Sequence, residues 1–209
     1  MNVQVEMPGR AKRLKAATHE AHDRLDKRIM GADPFSSRLR YGQFVKVQQQ
    51  FHREIDALYE NATLDSLLPD LPGRRRLPLI IQDLADLSLE ALPSDRAPAF
   101  TADKPVDIPT ALGWLYVAEG SNLGAAFLIK EAAKLDLGAE FGARHLAGAP
   151  EGRGLHWRTF TAALDAAALT DEEEGRVIAG GAAAFERVRG LVETLMPLPA
   201  GEKAAEASR

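Results

Sequence analysis

Histidine is the residue to search first for metal chemistry in this chain, which holds five histidines and no cysteine. The missing thiols remove disulfide staples, thiolate nucleophiles, structural zinc knuckles, iron–sulfur clusters and sulfur-linked cofactors together. His19-Glu20-Ala21-His22 is one residue shorter than the zinc-hydrolase motif. Its histidines fall about 300° apart around a helix, so they do not stack at i and i+4 on one zinc ion. A di-iron bundle site needs Glu three residues before each ligating His. Those positions hold Ala16, His19, Gln49, Gly142 and Arg153, so that motif is absent.

One metal role needs only a single imidazole: the axial bond to a haem iron, given a flat apolar slot with one His pointing into it. His22 meets the sequence requirement, because Thr18, His22, Leu25 and Ile29 share a helical face beside an apolar stripe. His19 points instead towards the side of Lys15 and Asp26. Spacing alone still favours the plainer reading of His22 as a hydrogen-bonded structural residue. A second segment raises a similar choice. Gly120 and Gly124 lie one turn apart inside an apolar helical run, where each glycine costs about 1 kcal/mol relative to alanine. Either the run packs closely on another helix through a small-xxx-small face, or a planar ligand lies on bare backbone there. Taken alone, the segment favours helix packing.

The elements that must position these residues are all helical: apolar residues recur at intervals of three and four, and alternating β-branched runs are scarce. The first helix is predicted over Arg10 to Ile29, with Leu14, Ala17, Ala21 and Leu25 inward and Gly31, Asp33 and Pro34 ending it. A second fits Ser37 to Asn61 and a third Arg74 to Leu89, after the turn residues Pro69, Pro72 and Gly73. Pro93 to Pro105 reads as a surface loop. Ile108 to Leu137 reads as one long helix kinked at Gly120, Ser121 and Gly124. Two more follow, Leu155 to Ala167 and Asp171 to Leu195, the last opened by a Thr170/Glu173 capping box.

Composition bounds the rest. The 209 residues, 45% of them hydrophobic, suit one all-α domain with its core over about residues 10–196, and 1–9 and 197–209 flexible. No apolar run is long enough for a membrane span or a secretory leader, which suggests a cytoplasmic protein. A net charge of −4 argues against nucleic-acid binding. Arg74, Arg75 and Arg76 read as a solvated helix start. His145 and His156 are expected near helix ends, in structural or surface roles.

Together the two glycine- and histidine-bearing segments carry a resemblance. Leu14-Lys-Ala-Ala-Thr-His-Glu-Ala-His22 resembles the proximal helix of haem oxygenases, and Gly120-Ser-Asn-Leu-Gly124 their distal helix. Val117-Ala-Glu-Gly-Ser-Asn-Leu-Gly-Ala-Ala-Phe and Phe141-Gly-Ala-Arg-His-Leu are similar to the short Gram-negative bacterial branch, over roughly Arg13 to Leu195. The resemblance implies an all-α bundle holding haem, both substrate and cofactor, between the first helix and the glycine-bearing one, with His22 on the iron. It implies ring opening at a meso carbon by O2 and external electrons, giving biliverdin, CO and ferrous iron, with no tightly bound flavin or NAD.

It further implies an electron donor such as a ferredoxin or flavoprotein reductase. A haem-delivery protein or a phytochrome that takes the biliverdin are further partners, and the protein itself is expected to be a monomer. Gly120 and Gly124 would press on the ring, and Ser121 stands where mammalian members carry an aspartate. Gln48 and His52, at i and i+4, resemble the bacterial polar pair that orders distal water; they read equally as a structural pair. Lys15, about 10.5 Å along the helix from His22, would hold a haem propionate, with Tyr116 adding a phenolic donor and Thr18 lining the pocket. Members that cleave another meso edge carry lysines at the positions of Met30 and Glu131, so cleavage here is expected at the α edge. The rival readings are a haem-binding or storage protein that leaves the ring intact, and a thiaminase-like relative, which the lack of cysteine disfavours.

Overall fold

The computed structural model describes residues 8–93 and 96–199. Helices account for the regular structure: α1 (Arg10–Gly31), α2 (Arg38–Ile55), α3 (Ala62–Leu67), α4 (Leu77–Asp86), α5 (Ile108–Ala133), α6 (Arg153–Ala166) and α7 (Asp171–Leu195). Among the described residues no strand forms; isolated bridges join Gly138 to Phe141 and Gly142. No helix among them is long and apolar enough to cross a membrane. The expected flexibility of the termini concerns mainly residues 1–7 and 200–209, which lie outside the described residues. Gly9 is ordered as the N-cap of α1, its carbonyl accepting from the Lys12 and Arg13 amides.

Local chemistry sets four of the seven helix starts among the described residues. Ser37, Asn61, Asp107 and Thr170 each accept a hydrogen bond from a first-turn amide of the helix they precede. The Thr170/Glu173 capping box forms as the sequence predicts. The second helix is shorter than expected: it tightens into a 3-10 turn over Asp56–Glu60, and Asn61 starts the short helix α3, which the sequence reading did not resolve. The glycines do not interrupt α5, which ends at Ala133 rather than Leu137.

Helix α7 is the hub, packing on α5, α1 and α2. Pairs spaced along both helices show that α1 runs beside α7 in the same direction. Arg10 binds Glu174 at 2.7 Å, the His22 ring meets Phe185, and Arg28 donates to the Met196 carbonyl at 2.8 Å. Three glycines allow closer approach. A Cβ on Gly113 would collide with the Val177 carbonyl, and one on Gly180 with the Thr110 carbonyl. Gly181 sits where Leu14 and Thr18 of α1 meet Gly113 of α5. Backbones of α5 and α7 therefore touch directly, which only residues without a side chain permit.

The buried stripe of α1 runs through Leu14, Thr18 and Leu25, while Ala17 is exposed, a one-position correction to the predicted inner face. The arginine run also departs from expectation. Arg74 is 2% exposed, bound into the protein at the 3-10 turn Pro72–Arg74, and Arg76 is buried too; only Arg75 resembles a solvated helix start.

Candidate functional site

His22 projects from α1 with 65% of its side chain exposed, its ring edge-on to Phe185 at 6.1 Å and its Nδ1 3.5 Å from the Asp23 carboxylate. No buried hydrogen bond holds it; its neighbours are Asp23 and Phe185. His19 is equally exposed and lies against Asp23 at 3.5 Å. Lys15 is exposed on the same helix. Thr18 points inward, its hydroxyl donating to the Leu14 carbonyl at 2.8 Å, so what it offers a neighbour is a methyl group.

On α5 the glycines separate into two kinds. Gly113 is demanded by helix packing, as above. Gly124 is not: a Cβ there would meet nothing within 4 Å, and one on Gly120 would only touch the Trp157 ring at 3.7 Å. The residues around Gly124 include two large exposed apolar side chains, Leu123 and Phe127, which are 42% and 55% exposed. Helices α1 and α5 both pack on α7 yet barely touch each other. The His22 imidazole lies on α1 against Phe185 of α7, and the open backbone of Gly124 lies on α5.

The remaining predicted site residues lie on α5 and α2. Ser121 donates to the Ala118 carbonyl at 2.7 Å. Tyr116 is nearly buried against Trp157, with ring centroids 5.5 Å apart, and burial raises its phenol pKa. Gln48 is half-buried on α2. His52, one turn on, is 3% exposed and its Nδ1 has no partner. Burial, with smaller repulsion from His145 and Arg76, pushes its pKa down to about 3, so the ring is neutral at pH 7. His145 and His156 sit at helix starts, as expected, and both are buried against carboxylates: His145 Nδ1 lies 2.7 Å from Asp83 and His156 Nδ1 2.8 Å from Glu151.

Against known proteins, the family model described as "Heme oxygenase" matches residues 9–194. This chain belongs to the haem oxygenase family. It is 41% identical over 184 residues to the haem oxygenase PigA of Pseudomonas aeruginosa, covering 88% of this chain and 91% of that protein. It superimposes on the NO- and CO-bound haem oxygenase of Neisseria meningitidis with a TM-score of 0.84 and 42% identity, over 93% of this chain and 95% of that one. The expected all-α bundle, family and oxidoreductase activity are therefore correct, and haem is the substrate.

The residues of this haem oxygenase fit that substrate. The open space over Gly124, with the exposed apolar side chains of Leu123 and Phe127 nearby, suits a flat apolar macrocycle. Iron needs an accessible nitrogen donor, and among the described residues no cluster of three or more His, Cys, Asp or Glu offers a rival metal site. Sequence reasoning missed Phe185, Leu123, Phe127 and the buried charges behind α5. Phe127 stood inside the motif already singled out, and only its exposure would have marked it.

Proposed function

We propose that this haem oxygenase ligates the haem iron through His22 and opens the ring at its α-meso carbon, releasing biliverdin, CO and ferrous iron. The observation that carries the reading is a pair of exposed features on two helices that both pack on α7: on α1 an imidazole that no buried hydrogen bond holds and, on α5, a glycine whose missing side chain the protein does not replace. Bound there, haem supplies the iron that activates O2 and the carbon that is attacked. The Neisseria relative holds NO and CO, which supports room for a diatomic ligand at that centre.

The protein's own groups do the rest. Neutral imidazole suits ring oxygenation, because it donates less strongly than a thiolate and does not press O–O cleavage. Gly120 and Gly124 bring backbone against the ring and leave a bound diatomic room to lean towards one edge. With Ser121 in place of a carboxylate, Gln48 and His52 take over the ordering of distal water. The neutral His52 ring offers one donor and one acceptor, and its Nδ1 is still unspent. Lys15 and Tyr116 hold the propionates. The two positions that would turn the ring otherwise are uncharged Met30 and acidic Glu131, the latter bound to Lys134 at 2.7 Å. Electrons come from a ferredoxin or flavoprotein reductase, and one domain carries the whole reaction.

The test is a pair of variants. His22→Ala should lose the ferric spectrum of imidazole-bound haem and fail to turn over, while His19→Ala should keep both. The reverse outcome overturns the ligand assignment, and chromatography of the biliverdin isomer checks the α edge. A protein that became ferrous-oxy without forming biliverdin under reductant would be a carrier.

A further inference from the structure

Behind the glycine turn of α5 lies a set of buried charges that the reaction above does not use. Glu119, immediately before Gly120, has a side chain 1% exposed; its Oε2 lies 2.7 Å from Arg74 and 3.4 Å from His156 Nε2. The other nitrogen of that ring, Nδ1, lies 2.8 Å from the Glu151 carboxylate. A neutral imidazole carries one N–H and would set its lone pair against one of the two carboxylates, whereas an imidazolium donates to Glu151 and turns its second N–H and its positive charge towards Glu119.

The same face of α6 grips the following residues. Trp157 stands over Gly120, and Arg153 donates to the Asn122 carbonyl at 2.7 Å. These side chains enclose a void of about 10 Å³, room for about one water. Four buried atoms around it make no hydrogen bond: Arg76 Nε, Glu119 Oε1, Asn122 Nδ2 and His156 Nε2, whose 3.4 Å approach to Glu119 is an ion-pair contact.

We propose that His156 is a positioning residue for the distal wall: as an imidazolium it ties Glu119 to Glu151, and so fixes the turn of α5 that carries Gly120 and Gly124. The inference rests on the reading of that turn as the surface against which haem lies. The charged groups around the ring are Glu119 on α5, Glu151 before α6, Arg74 from the 3-10 turn, and Arg76 and Arg153 around the void. The Glu119 and Glu151 contacts outweigh burial and Arg74, and the ring's pKa is raised above the ordinary value. Because the folded value is the higher one, the clamp is complete below the ordinary histidine range and is lost as pH rises through the raised value.

Hydrogen exchange on the haem-free protein tests this, with protection factors for the amides of 120–126 followed from about pH 5.5 to 8.5 across the histidine range. In the wild type, protection should fall by about tenfold, the weight of one charge-assisted hydrogen bond, in step with the NMR titration of the His156 ring. His156→Gln should give low, pH-independent protection in that turn alone. Glu151→Gln, at an exposed site that leaves the fold intact, should move the fall to lower pH. Flat wild-type protection, or a Glu151→Gln profile identical to wild type, overturns the clamp. Haem titration separates the two readings. Normal pH-dependent protection without haem uptake through His22 overturns the proposed function alone, and flat protection with normal uptake overturns the clamp alone.

Discussion

His52 illustrates how one side chain sets a pH limit. It is buried without a charge partner, and its pKa of about 3 lies below the ordinary value of about 6.5, so the unfolded chain binds a proton that the folded chain refuses. Its contribution to stability is complete above about pH 6.5 and is lost progressively as the pH falls towards 3. Urea unfolding across that range should show stability falling with acid, and His52→Leu should flatten that part of the profile. An unchanged acid profile in the variant would show that other groups govern it.

At the scale of the element, α5 carries glycines with opposite tasks, and two substitutions separate them. Gly180→Ala, on the facing helix, drives a methyl group into the Thr110 carbonyl and should cost about 1–3 kcal/mol of stability in denaturant unfolding. Gly124→Leu meets open space, so the haem-free protein should be as stable or more stable, by up to about 1 kcal/mol, since glycine weakens an exposed helix interior. Its haem uptake or turnover should nevertheless fall, because the added side chain occupies the bare wall. Unchanged affinity, rate and product would remove the close-contact argument.

Across the whole molecule, buried and half-buried arginines tie elements that are distant in sequence. Arg10 holds Glu174 and the Ala167 carbonyl, linking the start of α1 to the α6–α7 connection, and Arg28 anchors the other end of α1 at Met196. Arg74 joins α5 through Glu119 and α6 through the His156 carbonyl, with its guanidinium over the Phe160 ring. Removing one partner of a fully buried pair strands the other charge, so Arg74→Ala should cost about 3–5 kcal/mol. Arg75→Ala, which breaks the more solvated contacts to Asp56 and Glu60, should cost about 1 kcal/mol or less. Equal losses from the two variants in urea titrations would contradict the assignment of burial.

The long helices, the Thr170 cap and the family were readable without coordinates, because helical periodicity, the Thr170/Glu173 spacing, and the His22 and Gly120–Gly124 motifs are local patterns in the chain; the short helix α3 behind Asn61 was not. What tertiary structure decided is which of those residues face space and which face protein. Gly113 and Gly124 are identical letters eleven positions apart, one pressed on a carbonyl and the other on nothing, and only the arrival of α7 distinguishes them. Arg74, Arg75 and Arg76 likewise look alike as a run, yet a carboxylate 45 residues away draws the first inside. Burial and long-range pairing arise from packing between elements, and a period of three to four residues cannot carry that information.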